Sequence, residues 1–165
     1  MKASILIGTA MAVCIGFATP AFAGPEVNTA PGGVLVAGDP APGLAVHGFD
    51  VVAYFTEGEP VQGDAQFAVV HKDATYRFAS QANLEAFMAN PDKFEPAYGG
   101  YCAYGVSVGA KFDGDPRYWK IVGGRLYLNL DAGIQQAWLK DIPGAIKKAD
   151  ANWPKLAGKL PSEIN

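Results

Sequence analysis

Cysteine is scarce in this sequence. Its 165 residues hold two, Cys14 and Cys102, and Cys14 falls in a segment that reads as one removed on export. A mature chain would keep Cys102 alone, which excludes an internal disulfide. Stability must then come from packing, for which an aromatic content of 12% supplies material. Basic charge is scarce too. The formal net charge is -3 with no basic stripe, which argues against nucleic acid or an anionic membrane as partner. There is no G-x-S-x-G elbow, no phosphate-binding glycine loop and no C-x-x-C pair, so the common hydrolase, nucleotide and dithiol-exchange signatures are missing. No internal repeat occurs, and after the first residues no apolar run approaches the length of a membrane span.

What is there begins with MKASILIGTAMAVCIGFATPAFA, in which Lys2 precedes an uncharged apolar run and Ala21-Phe22-Ala23 forms an A-x-A site. This predicts a secretory signal peptide over residues 1–23 and a periplasmic or secreted product. Val13 is too bulky for a lipoprotein cleavage pattern before Cys14. Residues 24–43, rich in Pro, Gly and Ala, read as a flexible leader. Residues 44–157 fit a single domain, and residues 158–165 a frayed tail.

Strands are expected over residues 50–55 (DVVAYF), 65–71 and 75–78, with a tight turn at Asp73-Ala74 that sets His71 opposite Tyr76. Ser80 can cap a helix with Leu84, Phe87 and Met88 on one stripe. Pro91 then opens a short turn containing Phe94. Gly123-Gly124 separates two alternating runs and predicts a hairpin that pairs Ile121 with Leu126 and Trp119 with Leu128. Asp131 can cap a helix carrying Ile134, Trp138 and Leu139. Pro143 fits the first turn of a last helix that Pro154 limits. The sum is an α+β fold, a small antiparallel sheet of hairpins packed with several short helices and ending in C-terminal helices.

Gly99-Gly100 reads as a hinge opening a helical turn, with Cys102 in its first turn, where free backbone N–H groups favour a thiolate. Such a thiol could hold a soft metal or attack an oxidised sulfur. The alternative is an inert residue packed among Tyr98, Tyr101 and Tyr104. His47 and His71 add imidazoles, and thiolate with imidazole suits copper, although no metal-ligand spacing occurs. Met88 is accounted for by its helix stripe. A Cys–His nucleophile would need Cys102 beside His47 or His71 in space. Asp50, Asp113 and Asp115 read as strand-edge and turn residues.

The ordered set HGFDVVAYF and HKDATYRFASQANLEAFMANPDKFEPAYGGYCAYG resembles the YHS domain family, specifically its small exported bacterial branch, over Val46 to about Trp153. The resemblance implies a small α+β module with a metal-binding role, copper being a candidate. It makes Asp50, Tyr76, Ser80, Gly99 and Gly100 family-motif residues, with His71 as the third namesake beside Tyr76 and Ser80. Positions where the family carries cysteines match Ala53, Ala79 and Asn83, none of which donates a thiolate, and this speaks against a four-thiolate site. The expected function is copper binding by Cys102 with His71 or His47, inside a wall of Tyr98, Tyr101 and Tyr104. A thiol-based redox protein working with a partner-protein thiol is the first alternative. A structural interaction module is the second.

Overall fold

The structure, a computed structural model, describes residues 26–32 and 41–165; the expected signal peptide lies outside the described residues. Strand β1 (Thr29–Ala30) pairs antiparallel with β2 (Leu44–Ala45). Val27 is buried, and the Asn28 backbone N–H donates to the Gly99 carbonyl at 2.9 Å. Part of the expected flexible leader is therefore built into the sheet edge. Pairing across 15 residues is non-local, and composition does not report it.

Residues 50–55 form no strand. Asp50 accepts backbone N–H bonds from Val52 and Ala53 at 2.8 and 3.3 Å, which turns the chain into the short helix α1 (Ala53–Thr56). Val51, Val52, Ala53 and Tyr54 are all buried. A short run of apolar residues buried on every side looks the same for either element.

Strands β3 (Asp64–His71) and β4 (Ala74–Phe78) make the expected hairpin with a different turn. Lys72 and Asp73 hold it, with φ of 48° and 57°, the signature of a type I′ turn. His71 pairs with Ala74, and Val69 with Tyr76. The register differs from expectation by two residues, so His71 keeps its face and meets the Tyr76 ring edge-on at 6.1 Å.

Helix α2 (Gln81–Ala89) is capped by Ser80, whose side chain accepts from the Asn83 N–H. Phe87 is its buried anchor and stacks on Tyr76, whereas Met88 is 60% exposed and lies off the expected apolar stripe. Helix α3 (Pro91–Phe94) buries Phe94. A 3-10 turn over Ala97–Gly100 leads into α4 (Ala103–Ser107). The hairpin of β5 (Asp115–Val122) and β6 (Arg125–Asn129) has the expected register, Ile121 opposite Leu126 and Trp119 opposite Leu128.

Helix α5 (Ala132–Leu139) is capped by Asp131 and α6 (Ile142–Leu156) by Asp141, both through side-chain oxygens. Pro154 lies inside α6, which continues two residues beyond it. Nor is the tail frayed: Lys111 Nζ donates to the carbonyls of Ala157 and Lys159, and the Asn165 side chain bonds both backbone groups of Lys111.

The fold is α+β. One sheet has the order β1-β2-β4-β3, parallel only between β2 and β4, and β5-β6 stands as a separate ribbon. One core lies under the four-stranded sheet around Phe78 and Phe87. A second, around Tyr98, Tyr127 and Trp138, joins α4 to α6. No helix among the described residues is long and apolar enough to cross a membrane.

Candidate thiol site

Tyr98, Gly99 and Gly100 take successive left-handed φ values of 55°, 60° and 84°. The reversal lays the next residues against β6, where Cys102 bridges Leu128. Cys102 is the N-cap of α4 rather than a member of its first turn. Its backbone N–H donates to Phe112 O at 2.9 Å, and its sulfur accepts the Gly105 N–H at 3.4 Å. With five residues, α4 adds little dipole. The thiol is 1% exposed, and burial pushes its pKa up, although the N–H groups of Gly105, Leu130 and Tyr104 pull it down. Of the two readings the sequence offers, a thiolate favoured by free N–H groups and a buried inert thiol, this environment favours the protonated thiol at rest, because removing water penalises the anion more than these N–H groups compensate.

The sulfur's side-chain neighbour is Asn129, at the end of β6 and fully buried. Its Oδ1 accepts from the Tyr104 N–H at 3.4 Å and from the Cys102 thiol at 3.9 Å. A backbone N–H only donates, so this contact fixes which end of the carboxamide is oxygen. Nδ2 is left with no partner, at a cost of about 1–3 kcal/mol.

Beside the sulfur opens a pocket of about 270 Å³ whose exposed walls are entirely apolar. Cys102, Tyr104 and Gly105 come from the α4 turn, Val108 and Phe112 from the segment after it, Leu130 from the β6–α5 connection and Ile134 from the first turn of α5. Gly105 makes room for Phe112, since a Cβ there would meet the Phe112 ring at 3.0 Å.

The expected tyrosine wall divides. Tyr104 lines the pocket. Tyr98 turns to α6, donating to Asp150 at 2.9 Å, and Tyr101 packs between Trp153 and the Lys111 ammonium. Burial raises the pKa of both phenols, and the Asp150 hydrogen bond adds to it for Tyr98.

Neither histidine lines the pocket or bonds the sulfur. His47 Nε2 meets Asp113 Oδ1 at 2.9 Å, on the same oxygen that accepts from Asn28 Nδ2 at 2.6 Å. His71 Nε2 is bonded to Glu95, which also takes Lys72 Nζ, and its ring meets Tyr76 and Phe87 edge-on. Among the described residues, no group of three or more His, Cys, Asp or Glu side chains is placed to hold a metal ion. Cys102 thus brings a copper ion one thiolate and no imidazole, a donor set that does not fit the expected site.

The positions where the resemblance expects cysteines do converge, on a carboxylate. Asp50 is fully buried and accepts from the N–H groups of Val52, Ala53 and Ala79 and from Asn83 Nδ2, the last two at 2.8 and 2.7 Å. Asp50 is a buried hub tying α1 to the β4–α2 junction, not the edge residue the sequence suggests. Asn129 went unnoticed in the sequence, where it passes for a strand-end residue before the Asp131 cap.

No family model matches the chain, and neither a curated protein nor a solved structure matches it.

Proposed function

We propose that this chain is an exported YHS-like module performing thiol-based redox chemistry at Cys102. The observation that carries the reading is the Gly105 N–H bond to the sulfur at 3.4 Å, with the Leu130 and Tyr104 N–H groups also favouring its anion, at the wall of an open pocket. These donors stabilise negative charge where it develops on sulfur during reaction, while the proton stays on at rest. The same donors would hold the oxygenated sulfur that follows.

The cycle balances with a hydroperoxide as oxidant. The sulfur attacks the terminal peroxide oxygen; the S–O bond forms as the O–O bond breaks, and the alkoxide departs as an alcohol with the thiol proton. Sulfur is oxidised by two electrons and the peroxide reduced. An outside thiol then attacks the sulfenic sulfur, releasing water and leaving a mixed disulfide. A second outside thiol breaks that disulfide and restores Cys102. With the sulfur 1% exposed, a small oxidant entering by the pocket fits better than direct attack on a partner protein's disulfide.

The test is dimedone trapping on the full chain after hydroperoxide treatment, read on the Cys102 peptide by mass spectrometry. An adduct is expected, and Cys102→Ser should lack it. Near-stoichiometric copper in purified protein, lost in Cys102→Ser, together with no adduct, would replace this reading with soft-metal binding. Failure of any thiol reagent to modify the native protein would leave the structural reading.

A further inference from the structure

The geometry points to a second site, away from the thiol: we infer that a pocket between the two hairpins binds a small free amino acid as its zwitterion, the carboxylate on Arg125 and the Tyr76 hydroxyl and the ammonium on Glu26. Cys102 does not line this pocket, so the inference stands apart from the redox reading.

The walls come from separate parts of the chain. Lys72 belongs to the β3–β4 turn and Tyr76 to β4, Arg125 opens β6, Glu95 follows α3, Trp153 lies in α6, and Glu26 precedes β1. Unlike the pocket beside Cys102, this one exposes mostly polar atoms. A concave site on which a few polar groups converge is the usual form of a small-ligand site.

Tyr76 carries the argument furthest. The residue is 2% exposed, and its ring is held by stacking on Phe87. Its hydroxyl makes no hydrogen bond among the described residues, yet it is not one of the unpaired atoms that burial closes off from solvent. The opening it keeps is the pocket that it lines. Burial, with the Glu95 charge adding to it, pushes the phenol pKa up, so the hydroxyl holds its proton and stands as a donor. A native fold rarely leaves so buried a donor idle.

The charges decide the ligand's class. Both oxygens of Glu95 are taken, Oε1 by His71 and Oε2 by Lys72 at 2.7 Å, so this group is neutralised within the wall. Arg125 and Glu26 make no hydrogen bond or ion pair among the described residues. A ligand of one sign would satisfy one of them and be repelled by the other. A zwitterion satisfies both, and a guanidinium takes a carboxylate with two parallel N–H bonds. Size agrees. The volume is about 150 Å³, the size of a cavity that accommodates benzene, or roughly six non-hydrogen atoms. Alanine has that many.

The experiment is an NMR titration of the full chain with L-alanine, with propionate, which lacks the ammonium, and with ethylamine, which lacks the carboxylate. The Trp153 indole and Gly99 amide resonances report, since both residues line the pocket. Saturable shifts are expected with millimolar L-alanine, and binding weaker by roughly tenfold or more for each of the other two, the effect of losing one charge-assisted contact. Arg125→Gln should bring alanine down to the level of ethylamine, and Glu26→Gln down to the level of propionate. Tyr76→Phe should weaken alanine severalfold and leave the denaturant midpoint unchanged, because the hydroxyl serves no contact of the fold. A lower midpoint with unchanged affinity would assign that hydroxyl to folding and overturn its part in the site. Propionate or ethylamine binding as tightly as alanine would overturn the zwitterion, and no shift with any of the three would overturn the site.

Discussion

Asn83 Nδ2 donates to Asp50 Oδ2 at 2.7 Å, and the carboxylate that receives it is fully buried. With the N–H groups of Val52, Ala53 and Ala79, it gives the carboxylate four donors from two separate segments. Asp50→Asn would keep the shape and turn one acceptor into a donor facing another donor. A loss of about 3 kcal/mol or more is expected, read as a lower denaturant midpoint with unchanged slope. Asn83→Ala should cost less, about 1–2 kcal/mol, because the remaining three donors still satisfy the carboxylate.

The parts of the fold legible in the sequence are those fixed by local chemistry. Ser80, Asp131 and Asp141 cap their helices through their own side chains, and Gly123-Gly124 adopts φ of 57° and 78° as a two-residue turn requires. What was not legible depends on distant partners. DVVAYF has the composition of a strand, yet the Asp50 side chain caps a turn there. Lys72 and Asp73 take left-handed conformations that neither glycine nor asparagine announces. At the site, Cys102 was visible as a lone thiol, and Tyr104 as its neighbour in sequence. Asn129 was not visible, because 27 residues separate it from Cys102 and only the bridge to β6 brings them together.

The thiol's environment makes a prediction about pH. Burial raises the Cys102 pKa, so the rate of alkylation by iodoacetamide should rise along a profile displaced to the alkaline side of a free cysteine's. The linked effect on stability follows. The fold holds this proton more tightly than the unfolded chain does, so stability falls as pH climbs past the thiol's ordinary value. Cys102→Ser should lack that part of the slope in denaturant titrations. A profile on the acidic side would remove the basis for a protonated resting thiol.

Gly99 holds the N-terminal segment. Its carbonyl accepts the Asn28 N–H, and a Cβ on it would lie 1.8 Å from the Glu26 carbonyl oxygen at a φ of +60°. Gly99→Ala is expected to cost about 1–2 kcal/mol from the left-handed conformation alone, and more from displacing the segment. Limited proteolysis should then cut near residues 26–30 in the variant at protease levels that spare the wild type. Equal protection of both would mean that the segment contributes nothing to this contact.

Lys111 is the docking point for the other terminus, and it is buried. Nζ donates to two carbonyls of the tail at 2.9 and 2.7 Å and lies over the rings of Tyr101 and Trp153. Those contacts favour the ammonium, but burial outweighs them and lowers the pKa from 10.5 to about 8, with Glu26 and Glu163 opposing the shift. Below pH 8 the lysine is charged in both the folded and unfolded states, and the fold bears the full desolvation cost. Between about 8 and 10.5 the unfolded chain binds more protons, so this residue's contribution to stability rises with pH, by at most about 3 kcal/mol. The Cys102 effect runs the opposite way at high pH, and comparison with Lys111→Met, in which that thiol is unchanged, isolates the lysine. The denaturant midpoint of the wild type should gain on that of Lys111→Met from pH 7.5 to pH 10. A constant gap between the two would mean that the ammonium keeps its proton throughout, held by the tail carbonyls and the two rings.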